Sequence, residues 1–190
     1  MGQTVLPKPK PTGSNVNIIT TKPKVPVVTA VKVDLPESIK GKSGFLKNTW
    51  WKKHVGLNQN TKVGYISANT GEAEELLIEQ APVAFPGKYT IKNVMKNEYY
   101  SSAPGEKKPV TSKPTIGLTE TYEYIHNPVR DIYCFRTSHG TYLSGRNDDS
   151  LQSISFCQDW EAFSFIPKLE TVAPTIVSPD SLNTIVYLQN

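Results

Sequence analysis

The sequence is poor in the residues that most site chemistries need. Its two cysteines, Cys134 and Cys157, are too few for a disulfide framework; one bridge between them is open but nothing in the sequence requires it, and the expectation is a pair of reduced thiols in a cytoplasmic protein. Its three histidines, His54, His126 and His139, lie 72 and 13 positions apart, so no His/Cys set has metal-ligand spacing. No stretch approaches the roughly 18 consecutive apolar residues of a membrane helix. The opening MGQTVLPKPKPTG carries no signal-type apolar run, and no Asn-x-Ser/Thr sequon occurs. Gly2 is followed by Leu6 where myristoylation needs Ser or Thr. Membrane insertion and secretion therefore gain no support. Arginine is scarce as well: Arg130, Arg136 and Arg146 within a net charge of +4 are too little for a nucleic-acid face.

Familiar catalytic and nucleotide motifs are also missing. Gly41-Lys42-Ser43 has Pro36 where a phosphate loop needs glycine, and no Gly-x-Ser-x-Gly elbow appears. The neighbouring acids Asp148-Asp149 and Glu74-Glu75 read as solvated loop residues rather than an acid/base pair. No cofactor, metal or enzymatic activity is expected.

The first 40 residues contain no Phe, Trp or Tyr but six prolines, and six lysines against two acids. Such a segment buries too little apolar area to offset its ordering entropy, so residues 1–40 read as an extended or disordered basic leader. Lys8, Lys10, Lys22 and Lys24 are its candidate partner-binding cations. Pro23 and Pro26 have polyproline-ligand spacing, which arises readily in a Pro-rich linker. Residues 168–190 form a second arm, with strand composition at Asn183-Thr-Ile-Val-Tyr-Leu188.

Between the arms the texture is all-β. Alternating stretches such as Tyr89-Thr-Ile91 and Ile132-Tyr-Cys-Phe135 are punctuated by Gly/Asn clusters. Three markers recur in the same order. Leu46-Lys-Asn48, Ile91-Lys-Asn93 and Phe135-Arg-Thr137 step by 45 and 44. Val55, Tyr99 and Tyr142 step by 44 and 43. Glu74-Glu-Leu76-Leu-Ile78, Glu120-Thr-Tyr122-Glu-Tyr124 and Glu161-Ala-Phe163-Ser-Phe165 step by 46 and 41. Three pseudo-repeats of about 43 residues, each with about four short strands, predict a β-trefoil over residues 41–167. Three blades are too few for a propeller. This reading makes residues 72–80 a strand-bearing element rather than a helix. Alternation then puts Leu46, Val55, Leu76, Ile78, Ile91, Tyr99, Tyr122, Tyr124, Phe135, Tyr142, Phe163 and Phe165 in the core.

The third unit, with His139-Gly-Thr-Tyr-Leu-Ser144 followed by Trp160-Glu-Ala-Phe-Ser-Phe165, resembles the trefoil repeats of the fascin family. Lys53-His-Val-Gly-Leu57 and Asn97-Glu-Tyr-Tyr-Ser101 are looser copies. The resemblance implies a non-enzymatic module that binds actin-type filaments; the two-armed layout fits a microtubule-based axonemal assembly about as well. Trp50-Trp51-Lys52-Lys53-His54, two large rings beside three potential cations, is the candidate contact, with one ring toward the barrel and the other near the surface.

Gln158-Asp159-Trp160 is similar to the Gln-x-Trp motif of ricin-B-type lectins, present here once where such lectins repeat it. This resemblance implies a carbohydrate ligand, and these three residues are the candidate sugar site of the alternative reading.

Overall fold

The computed structural model describes residues 30–169. Within them lie thirteen strands: β1 (Val31–Lys32), then β2 (Ser43–Asn48), β3 (Lys53–Leu57), β4 (Gly64–Ser67) and β5 (Glu75–Gln80) as the first unit. The second unit is β6 (Tyr89–Asn93), β7 (Glu98–Ser102), β8 (Val110–Lys113) and β9 (Thr121–Asn127). The third is β10 (Ile132–Thr137), β11 (Tyr142–Gly145), β12 (Leu151–Ile154) and β13 (Phe163–Pro167). Residues 75–80 are strand, as the repeat requires.

The outer strands of each unit build a six-stranded barrel. Antiparallel ladders run β2-β5-β6-β9-β10, while β13 pairs with β2 and lies against β10 to close the ring. The closure depends on Gly44, where an added Cβ would stand 2.3 Å from the carbonyl oxygen of Ile166. The inner pairs β3–β4, β7–β8 and β11–β12 are hairpins that cap the barrel. Bridges Val63–Thr111, Tyr65–Ser150 and Pro109–Gln152 join one hairpin to the next. This is a β-trefoil.

Apolar side chains fill it in threefold layers: Leu46 with Ile91 and Phe135, Leu76 with Tyr122 and Phe163, and Ile78 with Tyr124 and the half-buried Phe165. Two expected core residues are corrected. Tyr99 and Tyr142 lie half-buried on the outer face, and their neighbours Tyr100 and Leu143 fill the core beside Val55. The ladder gives the reason: Lys47 pairs with His54, Lys92 with Tyr99 and Arg136 with Tyr142, so the true counterparts of Val55 are Tyr100 and Leu143. A one-residue offset moves a side chain to the opposite face of a strand. Where two large apolar residues are adjacent, either satisfies the pattern.

The barrel also recruits chain expected to lie in the leader. The amide of Val33 donates to the carbonyl of Tyr124 at 2.9 Å, β1 pairs with β9, and Leu35 is 2% exposed inside the main core, with Ile39 packed beside it. The ordered body thus begins ahead of residue 41. A proline-rich stretch without an aromatic residue still contributes a leucine where the barrel leaves a hole. The lysines at 8, 10, 22 and 24 and the strand composition at 183–188 lie outside the described residues. Among the described residues, no helix is long and apolar enough to cross a membrane.

Candidate functional site

The threefold pattern that builds the barrel also isolates one departure from symmetry. Ahead of β5, β9 and β13, a buried glutamate accepts the backbone N–H three residues upstream: Glu74 from Gly71 at 2.8 Å, Glu120 from Gly117 at 2.8 Å and Glu161 from Gln158 at 3.0 Å. Each carboxylate has a further hydroxyl donor, Tyr65 for Glu74, Thr119 for Glu120 and Ser144 for Glu161. Glu74, expected as a solvated loop acid, is thus a buried structural one, because the turn amide needs an acceptor that water cannot reach. Its neighbour Glu75 pairs with Lys168 at 2.7 Å.

Counting from these anchors, Trp160 occupies the position of Ala73 and Thr119. The Asn48 side-chain amide donates to the Trp160 carbonyl at 2.7 Å as that of Asn93 does to Ala73 at 2.9 Å, so the backbone is the same while the side chain is not. Only this unit carries a large ring there, and Gln158 stands where the other units have glycine.

Around Trp160 the chain assembles a cluster from all three units. Trp51, on the turn after β2, donates its indole N–H to the carbonyl of Gly145 at 2.9 Å and leans on Trp160 with ring centroids 5.8 Å apart. The Arg146 guanidinium covers the Trp160 ring at 4.4 Å, a cation-π contact. The two groups that the sequence offered as alternatives, Trp50-Trp51 and Gln158-Asp159-Trp160, are therefore neighbours. Beside them opens a cleft of about 350 Å³, lined by Arg146, Ile154, Phe156, Gln158, Asp159, Trp160, Glu161 and, from the loop between β7 and β8, Lys107. Phe156 is 61% exposed and Trp160 39%.

The cleft floor is tied down. Cys134 on β10 and Cys157 form a disulfide, with their Cα atoms 6.1 Å apart. The expectation of two reduced thiols is corrected: antiparallel folding brings β10 against the segment before Gln158, a proximity that 23 positions of sequence hide. The Asn127 side-chain amide adds a bond to the Cys157 carbonyl at 2.9 Å, and Arg130 clamps Asp159 at 2.8 Å.

Charge in the site is unbalanced. Burial raises the Glu161 carboxyl above its ordinary value despite the bonds from Ser144 and the Gln158 amide, and Asp159 is committed to Arg130. Arg146 has no ion-pair partner among the described residues, and its buried Nη1 makes no hydrogen bond. Among the described residues, no group of three His, Cys, Asp or Glu could hold a metal ion.

The rest of the Trp50–His54 string is dispersed. Trp50 is 54% exposed beside the half-buried Trp51, and Lys52 is exposed in a left-handed turn conformation. Lys53 is ion-paired with Asp149. His54 is buried, and that burial, with Lys47 nearby, pushes its pKa down. These three side chains do not form one basic grip. Arg146, Lys107, Arg130 and Phe156 were missed in the sequence, where each sits in an unremarkable loop. Arg146 carried one weak signal, as the lone cation opening the turn before Asp148-Asp149.

No family model and no curated protein matches this sequence. Solved structures do share its fold. "SeviL bound to asialo-GM1 saccharide" is 16% identical, with a TM-score of 0.59 over 68% of this chain and 100% of that one. A structure described as "BEL beta-trefoil" is 11% identical, with a TM-score of 0.62 over 73% of this chain and 100% of that one. The Polyporus squamosus lectin bound to Neu5Aca2-6Galb1-4GlcNAc is 16% identical, with a TM-score of 0.56, covering 67% of this chain and 49% of that one. The chain thus spans about half the length of the Polyporus lectin.

Proposed function

We propose that this trefoil is a non-enzymatic binding module whose ligand is a glycan, held in the cleft beside Trp160. The observation that carries the reading is the cleft's composition. The exposed Phe156 ring and the Trp160 indole stand among Arg146, Gln158, Asp159 and Lys107. A saccharide stacks its C–H face on an aromatic ring while its hydroxyls need donors and acceptors at fixed positions, and the lining supplies both. The lectin complexes that share the fold support the reading at the level of architecture. The disulfide fits a protein that works where thiols are oxidised, outside the cytoplasm, which is also where many glycans are displayed.

The filament reading rests on the fascin resemblance and on leader lysines outside the described residues. It supplies the competing arm of the test. The full chain and a Phe156→Ala variant are applied to a glycan array, and the full chain is co-sedimented with actin filaments and with microtubules. Glycan retention that falls at least about fivefold in Phe156→Ala is expected, since a stacked ring contributes about 1 kcal/mol or more. Pelleting with a filament and no retention on any glycan would reverse the conclusion.

A further inference from the structure

The cleft around Trp160 holds two cations without an ion-pair partner among the described residues, although Arg146 also feels the carboxyls of Glu161 and Asp148. Arg146 is fixed at the start of the turn after β11, its amide donating to Ser150 at 3.0 Å and its carbonyl accepting from Asp149 at 3.1 Å. Its guanidinium carbon stands 4.4 Å from the centre of the Trp160 ring, and its Nη1 makes no hydrogen bond. Lys107 reaches the same cleft from the second unit. Its amide donates to the Ser153 carbonyl at 2.7 Å, so the loop that carries it is pinned to β12.

The neighbouring acids are otherwise engaged. Glu161 is buried under Ser144 and the Gln158 amide, Asp159 is clamped by Arg130, Asp148 accepts from the Ser150 hydroxyl and amide, and Glu106 takes the Ser155 hydroxyl. Neither Arg146 nor Lys107 has an ion-pair partner among the described residues. A guanidinium that lines the cleft without a carboxylate partner is open to an anion there, and its planar fork fits a carboxylate or sulfate through two parallel bonds.

We infer that the cleft selects an acidic saccharide, one bearing a carboxylate or a sulfate ester, with Arg146 as the anion fork and Lys107 as the second cation. The inference rests on the glycan reading of the same cleft and goes beyond it in naming the ligand class. Trp160 acts here by orienting Arg146, and Phe156 takes the sugar ring.

The test is calorimetric titration of the full-length protein with lactose, sialyllactose and sulfated lactose, at low and at raised ionic strength. At least one acidic ligand is expected to bind about tenfold more tightly than lactose, and the preference should shrink as salt rises. The sialyl and sulfated arms identify which anion is read. Arg146→Met, which keeps an apolar stem over Trp160, should bring the acidic ligand to the level of lactose, while Arg146→Lys should keep part of the preference. Lys107→Gln, at an exposed position, should lower it by a smaller factor; a parent-like thermal midpoint in each variant shows that the fold is intact. Lactose binding as tightly as both acidic ligands would overturn the inference and leave the glycan reading standing. A preference that survives in both Arg146→Met and Lys107→Gln would also overturn it. No binding of any of the three, together with an empty glycan array, removes the glycan reading and this inference with it.

Discussion

The backbone amide of Leu35 donates to the phenol oxygen of Tyr89 at 2.9 Å, a buried bond between residues 54 positions apart. It ties the segment ahead of the first unit to the opening strand of the second, at the barrel end opposite the hairpin caps. The Leu35 side chain enters the same space, lined by Leu46, Ile78, Tyr124, Phe135 and Phe163. No repeat of the pattern supplies such a residue, so the threefold barrel is completed by chain that belongs to none of its three units.

Leu35→Ala should therefore cost about 3 kcal/mol, the usual price of emptying a fully buried leucine site. A chain lacking residues 1–40 should be destabilised more, since it also loses Ile39 and β1. Urea unfolding followed by tryptophan fluorescence measures both. A midpoint unchanged in Leu35→Ala would mean that the barrel closes without this plug. The same result bears on any binding assay that uses the 1–40 truncation, because loss of binding there could reflect a weakened fold rather than a lost arm.

Much of this fold could be read from the sequence because the barrel repeats its demands. Each unit needs an inward apolar residue on its first strand, and Leu46, Ile91 and Phe135 supply it. Each needs a buried acceptor before its last, and Glu74, Glu120 and Glu161 do so at recognisable steps. Offsets within adjacent apolar pairs, as at Tyr99-Tyr100 and Tyr142-Leu143, stayed ambiguous because only the ladder decides which member faces inward. The cleft was harder to see. Trp51, Lys107 and Arg146 come from three different units, and none is placed by periodicity. Gln158-Asp159-Trp160 stood out, but its partners did not. Leu35 was hidden by its prolines, and the disulfide by the loop it closes.

The three repeated glutamates are chemically unequal. Burial would raise the Glu120 carboxyl, but bonds from Ser101, Thr119, the Gly117 amide and Lys113 outweigh it and hold the pKa below the ordinary 4.5. Glu161 has fewer donors, and burial leaves its pKa above 4.5. The stabilisation from Glu120 is present above pH 4.5 and is lost as pH falls through its depressed value. That from Glu161 is full below pH 4.5 and is lost as pH rises through its raised value. At neutral pH, Glu120→Gln should thus cost about 1–3 kcal/mol, and Glu161→Gln should cost less. Urea midpoints of both variants and the parent at acid and neutral pH check this. Equal losses at neutral pH, with the same dependence on pH in both variants, would show that burial does not set the two carboxylates apart.

The disulfide between Cys134 and Cys157 ties β10 to the segment that carries Gln158 and Trp160, so its loss should register in stability and in the cleft. Closing a loop of 23 residues restricts the unfolded chain by about 3 kcal/mol on the chain-entropy account. The Cys134→Ser/Cys157→Ser double variant should lower stability by about that amount. Its affinity for any ligand of the cleft should fall as well, because the segment would then be held without a covalent tie, by the Asn127 bond to the residue 157 carbonyl, the Arg130–Asp159 pair and the Asn48 bond to the Trp160 carbonyl. Thiol labelling of the unfolded parent without reductant should modify neither cysteine, and labelling after reduction should modify both. Two modified cysteines in the unreduced sample would show that the bridge does not form. An unchanged urea midpoint in the double variant would show instead that the bridge forms but restrains nothing the fold has not already ordered.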